Sequence, residues 1–238
     1  MNDPLLEHFQ SFALLDDDTP VRGFRRVARC VLPGWQRLFD HPGLGFEKPF
    51  DARFGKAMVK AVSHVVGSDP GVSYGYVEHG EFSILLSSAG DDGQGDGRAL
   101  LCQLASQAAG RLSLLLGDLA PFDVHLFQFP SPELARAYFV WRQGCNRQVF
   151  IDRYVRHLLL ANQREEAEAA AIMEDLGDEE KREILSQNQV DLDTLPPWQV
   201  RGTGVFWQPG LDEDEATLMI DTLLPADKEY AAYLRTFL

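Results

Sequence analysis

The chain has 238 residues, 45% hydrophobic and 24% charged, which is ample apolar material for a core and unlike the composition of a disordered chain. Its formal net charge of −14 excludes a broad nucleic-acid footprint unless basic residues gather on one face, because an acidic surface repels phosphate backbones. Much of the acid lies in local runs, Asp16 to Asp18, Glu165 to Glu168, Asp178 to Glu180 and Asp212 to Glu215, of the kind found in solvated loops and helix starts.

Pro4 opens a pattern with Leu5, Leu6, Phe9, Phe12 and Ala13 on one face, an amphipathic first helix that Asp16 to Pro20 end. Phe24 to Leu32 reads as a strand closed by Pro33-Gly34. Lys48-Pro49 then opens a helix, since proline suits a first turn, and Phe54, Met58, Ala61, Val62 and Val65 recur at helical spacing. Gly71 to Val77 and Glu81 to Leu86 are rich in aromatic and branched residues and form a tight hairpin. After a Gly/Asp-rich loop, Gly90 to Gly97, the stretch Arg98 to Leu116 is helical. Its buried stripe is Leu101, Leu104, Ala105, Ala108, Leu112 and Leu115, and Gly117 stops it.

Phe122 to Phe129 alternates as a half-buried strand. The order strand, helix, strand, strand, helix, strand is the split βαβ arrangement, a ferredoxin-like α+β palm with an antiparallel sheet and helices on one face. Ser131 caps a helix running to about residue 160, with further helices over roughly 164–175 and from Asp178 to Gln187. A last strand pair covers Thr203 to Trp207 and Ala216 to Leu223, and Asp227 caps a short final helix. Residues 1–130 are thus expected to form the palm with its N-terminal helix, and 131–238 a helical region completing the same compact unit.

Cys30, Cys102 and Cys145 lie far apart without CxxC spacing and read as reduced core thiols. No basic segment precedes an apolar run near Met1, and no apolar run is long enough to span a bilayer, so a cytoplasmic protein with no membrane partner is expected.

Four segments carry a family resemblance, in one order. Phe46-Glu47-Lys48-Pro49-Phe50-Asp51 resembles an FxKPxD motif, Tyr138 to Gln143 a YFxWRQ motif, Lys181 to Leu185 an EKNELL helix, and Leu195 to Gly202 an LPxWQxRG turn. Together they resemble the tRNA-His guanylyltransferase family, over roughly residues 22 to 224. That resemblance implies a polymerase-like palm, 3′-to-5′ nucleotide addition at a tRNA 5′ end with GTP or ATP, two magnesium ions, and assembly into dimers or tetramers. Two-metal phosphoryl transfer requires carboxylates that clamp both ions.

The carboxylates are depleted here. The resemblance puts Val31 where the family's LDGRxF aspartate stands, with Leu32 and Pro33 in place of its glycine and arginine, and Gly80 where the Ser-Asp-Glu hairpin has its aspartate. Glu81 is the one family carboxylate retained as a catalytic candidate. Pro33 supplies no N–H to a phosphate cradle. Arg147 and Val149 replace a histidine and an asparagine of the family's DxHxN-type run, and Ala99 and Cys102 replace a lysine and a serine near Arg98. Lys48, Arg98 and Lys181 remain as candidate nucleotide-binding cations. Strand alternation places Glu78 with Gly80 and His79 with Glu81, so a His-plus-Glu pair offers only a weak transition-metal site.

Three readings stay open on the sequence. A catalytically inactive pseudoenzyme would bind a partner protein, a nucleotide or a tRNA end, with no cofactor expected. An active nucleotidyltransferase would use magnesium and GTP or ATP through rearranged carboxylates such as Glu78, Glu81, Asp40 or Asp51, although Asp51 reads more simply as a helix anchor. A nucleotide sensor would hold a triphosphate on Lys48, Arg98 and Lys181 without metals.

Overall fold

A computed structural model describes residues 4–14, 21–69, 71–87, 97–210 and 216–238. The acidic stretches 16–18 and 212–215, and most of the 90–97 loop, lie outside the described residues.

The palm elements are β1 (Arg25–Val31), α2 (Ala52–Ser68), β2 (Val72–Val77), β3 (Glu81–Leu86), α3 (Gly97–Leu116) and β4 (Asp123–Phe129), preceded by α1 (Pro4–Gln10). The second half adds α4 (Pro132–Ala161), α5 (Glu166–Asp175), α6 (Asp178–Gln187), α7 (Pro197–Arg201), β5 (Thr203–Gln208), β6 (Thr217–Asp221) and α8 (Asp227–Tyr233). The strands form one antiparallel sheet in the order β4-β1-β3-β2-β5-β6. The inner order β4-β1-β3-β2 is that of the split βαβ palm, and β5 and β6 extend it from the β2 edge.

Alternation along the strands makes two cores. Ala28, Cys30, Phe82 and Ile84 pack with α2 and α3, the two palm helices expected on one face. Val27, Leu85, Tyr74 and Tyr76 point the other way, where α1, α4 and α8 supply Phe9, Tyr138, Phe139 and Tyr230. Both faces of the sheet are therefore covered, which explains why β2 and β3 read as nearly continuous apolar runs. A third cluster, Phe150, Ile151, Val155, Leu185 and Val200, ties α4 to α6 and α7. Leu158 and Leu159 of α4 pack against it.

Three local expectations are corrected. Helix α2 begins at Ala52 rather than at Pro49, because Asp51 is its cap: the carboxylate accepts the Arg53 N–H at 2.6 Å and the Glu47 N–H at 2.8 Å. Asp227 is not a cap but the first residue of α8, with φ +50°, and Ala226 holds the cap position. Cys102 is exposed on α3, unlike the buried Cys30, so only part of the cysteine set is core. Ser131 caps α4 as expected, its Oγ accepting the Leu134 N–H at 3.3 Å.

Candidate functional site

Where β1 ends beside the β2–β3 hairpin, the register sets Val31 opposite Glu81 on one side and Asp123 on the other. The hairpin turn is His79-Gly80. Val77 pairs with Phe82, and the Glu78 N–H donates to the Glu81 carbonyl at 2.9 Å. Glu78 and Glu81 therefore face each other across the turn and share a side of the sheet. Strand alternation carried straight through the turn would set them apart, contrary to what is observed; a two-residue turn reverses the chain and brings them together.

Both glutamates are held by arginines. Arg142 of α4 donates to Glu78 from Nε at 2.9 Å and from Nη2 at 2.8 Å, and also from Nη2 to Glu81 at 2.8 Å. Arg29 of β1 donates to the same Glu81 oxygen from Nε at 2.8 Å and Nη2 at 2.6 Å. Burial pushes the Glu78 carboxyl above its ordinary range while Arg142 pulls it back. Burial works against the Arg142 charge too, but the two carboxylates outweigh it and hold the guanidinium firmly protonated. Two carboxylates against two guanidiniums leave this centre without the excess negative charge that a pair of divalent cations needs.

The space is filled as well. Trp35 lies in a short 3-10 helix, Trp35–Phe39, directly after β1, and its indole sits against the hairpin. A Cβ built on Gly80 would stand 2.1 Å from Trp35 Cδ1 and 2.2 Å from Cγ, inside any possible contact. Gly80 is not in the left-handed region. It is glycine because the indole takes the room a side chain would use. Trp35 stacks on Phe54 at 5.8 Å between ring centroids and on His79 at 5.9 Å, and Arg153 lies over it at 4.4 Å.

His79 is sandwiched further by Phe50 at 4.4 Å, and burial pushes its imidazole down to about 3, so it is neutral. It is a stacked core ring and not half of a metal pair with Glu81. Asp51 is likewise engaged: the Arg53 hydrogen bond takes its carboxyl down to about 2. The magnesium pair that the resemblance implies does not fit these residues. Val31 and Gly80 offer no oxygen ligand, the Glu81 Oε2 already accepts three N–H donors, and among the described residues no group of three or more His, Cys, Asp or Glu side chains could hold a metal.

A second feature lies on the other side of Arg153. A cavity of about 520 Å³ opens between α4, α5, α6 and the segment before α2, with Lys48 and Lys181 both in its wall. Arg153, Arg156 and His157 join them from successive turns of α4. Lys48 pairs with Asp40 at 2.5 Å, Lys181 with Asp152 at 2.9 Å, and Arg156 with Glu166. Arg153 donates to the Pro49 carbonyl at 3.1 and 2.7 Å and packs on Trp35, Phe39 and Phe50. Among the described residues no carboxylate forms an ion pair with it, and burial lowers its pKa to about 10. Burial, together with Lys48 and Arg153, also depresses His157, and the four cations Lys48, Arg153, Arg156 and Lys181 share the lining with the four carboxylates Asp40, Asp152, Glu166 and Glu174.

Of the cations singled out from sequence, Lys48 and Lys181 meet here although 133 positions separate them. Arg98, at the start of α3, is not part of this wall. Arg153, Arg156 and His157 were missed. Their only sequence signal is helical spacing downstream of the Trp-Arg-Gln segment, where an i, i+3, i+4 basic stripe stands out against the acidic background.

Solved structures with this architecture decide the fold. A bacterial tRNA(His) guanylyltransferase (Thg1)-like protein in complex with ATP superposes with a TM-score of 0.72 at 18% identity, over 98% of this chain and 96% of that one. This chain has the guanylyltransferase fold. A bacterial Thg1-like protein in complex with GTP gives 0.67 at 17% identity over the same shares. The tRNA(His) guanylyltransferase of Saccharomyces cerevisiae gives 0.69 at 16% identity, over 93% of this chain and 97% of that one. No protein-family model and no curated protein sequence matches the chain. The guanylyltransferase fold is thus kept over nearly the whole length.

Proposed function

We propose that this protein is a catalytically silent relative of the guanylyltransferases that binds the triphosphate of a nucleotide, or of a tRNA 5′ end, in the cavity walled by Lys48, Arg153, Arg156 and Lys181. The observation that carries the silent half is the Trp35 indole in the space beside Gly80, with Glu78 and Glu81 already neutralised by Arg142 and Arg29. A magnesium pair would have to expel an indole stacked on two rings and strip three guanidinium donors from one oxygen, each loss costing on the order of 1 kcal/mol or more.

Support for the ligand half comes from the balance of ion pairs around the cavity. Lys48 with Asp40 and Arg156 with Glu166 are solvent-exposed pairs, with side chains about half exposed or more. Such pairs are worth roughly 0–1 kcal/mol, so a polyanion displaces the carboxylates at little cost. Arg153 keeps guanidinium N–H groups beyond its two bonds to Pro49 and is pre-positioned by three aromatic rings. The bacterial relatives of this fold occur in complex with ATP and with GTP.

Calorimetric titration with ATP, GTP and a 5′-triphosphorylated tRNA, in magnesium and in EDTA, tests both halves. Binding is expected to survive EDTA and to weaken about tenfold in Lys48→Ala and in Arg156→Ala, as loss of one charge-assisted hydrogen bond implies. No labelled nucleotide should enter tRNA. Magnesium-dependent incorporation that vanishes in Glu81→Ala overturns the silent assignment. Absence of binding by folded protein overturns the ligand assignment.

A further inference from the structure

Two helices of this acidic chain carry no acid. Across the 17 residues of α2 and the 20 of α3 there is no aspartate or glutamate, whereas α1, α4, α5, α6 and α8 each hold at least one. Both cover the same face of the sheet, through Phe54, Met58, Leu104 and Ala108, and they pack on each other. Their solvent sides therefore form one surface. On α2 it holds Arg53, Lys56, Lys60 and His64, all exposed and, by helical geometry, within about 80° of one another around the axis. On α3 it holds Arg111 together with Cys102, Gly110 and Leu114, and Leu114 is 81% exposed. Arg53 is held by Asp51, but among the described residues Lys56, Lys60 and Arg111 form no ion pair.

We infer that this surface docks a partner protein through an acidic amphipathic helix. Unpaired cations call for carboxylates, and a leucine left in water beside them calls for apolar side chains on the same segment. An amphipathic helix supplies both, with apolar residues along one side and glutamates flanking them. Arg53 to His64 extends about 16 Å along α2, which three turns of a docked helix span. On α3 a side chain built on Gly110 would touch nothing, so the space beside Leu114 is open to such a helix.

Charge and extent together select this occupant. The chain carries a net charge of −14 although these two helices are positive, so the rest of its surface, taken together, repels anions. Such repulsion reaches about 8 Å at physiological salt. With α2 extending about 25 Å and packed helices standing about 10 Å apart, the favourable area measures roughly 25 by 20 Å. One helix fits inside it. A polynucleotide or an anionic bilayer runs past its edges into acidic surroundings, and a phosphate backbone offers nothing apolar to cover Leu114. None of these residues lines the cavity of Lys48 and Lys181, so the inference does not rest on the ligand assignment above.

Fluorescence anisotropy on the full chain, with a labelled four-turn helical peptide that carries leucines on one side and glutamates on the other, tests this. Saturable binding is expected at about 50 mM salt, weakening about tenfold by about 300 mM. Joint reversal by Lys56→Glu and Lys60→Glu should weaken it at least about tenfold, and Leu114→Ser about threefold, with Tm unchanged because all three side chains are exposed. Lys228→Glu on α8, across the sheet, should leave binding as it is, which separates this surface from net charge. No saturation by about 200 μM peptide overturns the inference. So does equal binding of a counterpart with lysine in place of glutamate, or binding that survives the double reversal. Tighter binding of duplex RNA or of phosphatidylserine vesicles, lost on the same reversal, gives the surface to another occupant and also overturns it, as does a dimer of the chain that the reversal takes apart.

Discussion

Gly80→Ala is the smallest change that tests how the hairpin is built. The added methyl would lie 2.1 Å from Trp35 Cδ1 and 2.5 Å from Nε1, and the indole is only 7% exposed, stacked on Phe54 and His79 and covered by Arg153. With no rotamer free of that box, the ring must leave its stack or the turn must bend. Overpacking of this kind costs about 1–3 kcal/mol, and a lost aromatic stack adds about 0.5–1.5, so a loss of roughly 2–4 kcal/mol is expected. For a domain of this size that lowers Tm by about 5–15 °C. Trp35→Ala alone should cost about 3–5 kcal/mol through the cavity it leaves. In the Trp35→Ala background, however, Gly80→Ala should cost less than about 1 kcal/mol, because the clashing atoms are gone. Urea unfolding of the four proteins measures the cycle. If Gly80→Ala costs the same with and without Trp35, the steric account of this glycine is wrong.

Arg142→Ala strands the buried Glu78 carboxylate and should cost about 3–5 kcal/mol in urea unfolding, with Arg142→Lys failing to restore it because an ammonium cannot bridge two carboxylates in a fork. His79 gives a pH signature. Its imidazole is held near 3 against an ordinary 6.5, so below pH 6.5 the unfolded chain takes up a proton that the folded chain refuses, and stability falls as pH falls, by up to about 1.4 kcal/mol per unit. The difference between wild type and His79→Asn isolates this contribution, since Glu78 titrates in both; a difference that stays flat between pH 6.5 and 5 refutes it. Asp51→Ala should lower stability by about 1–2 kcal/mol through the lost α2 cap, while Asp51→Asn retains most of it. Neither should alter nucleotide affinity, which separates anchoring from ligand contact in the calorimetric assay.

The fold was legible because its elements are spelled locally. The α3 pattern from Arg98, the alternation of Phe122 to Phe129 and the span Asp178 to Gln187 agree with the structure to within a residue or so. What failed depended on contacts between distant positions. Gly80 reads as a turn residue in isolation, and only Trp35, 45 positions earlier, shows that it answers to volume. Arg142 lies in a segment that reads as packing, with Trp141 and Phe139 around it, and its carboxylate partners sit some sixty residues upstream. Pro49 drew the start of α2 too early, because proline tolerance of a first turn is a weaker signal than a carboxylate placed to accept two backbone N–H groups. Lys48 and Lys181 were visible as retained cations, but their shared cavity is a product of how α6 docks on α4.

The hairpin centre poses two separate physical problems, volume and charge. Gly80 brings no side chain to fill the turn, and Glu78 and Glu81 set two carboxylates side by side. Trp35 meets the first: its ring occupies the volume beside Gly80 and joins Phe54, His79 and Phe50 in one stacked layer. Arg29 and Arg142, the latter inside the segment that resembles the family's YFxWRQ motif, meet the second by holding the Glu78 and Glu81 pair in a hydrogen-bonded quartet. The result is a centre that is packed and charge-balanced, beside an open cavity whose wall carries Lys48, Arg153, Arg156 and Lys181.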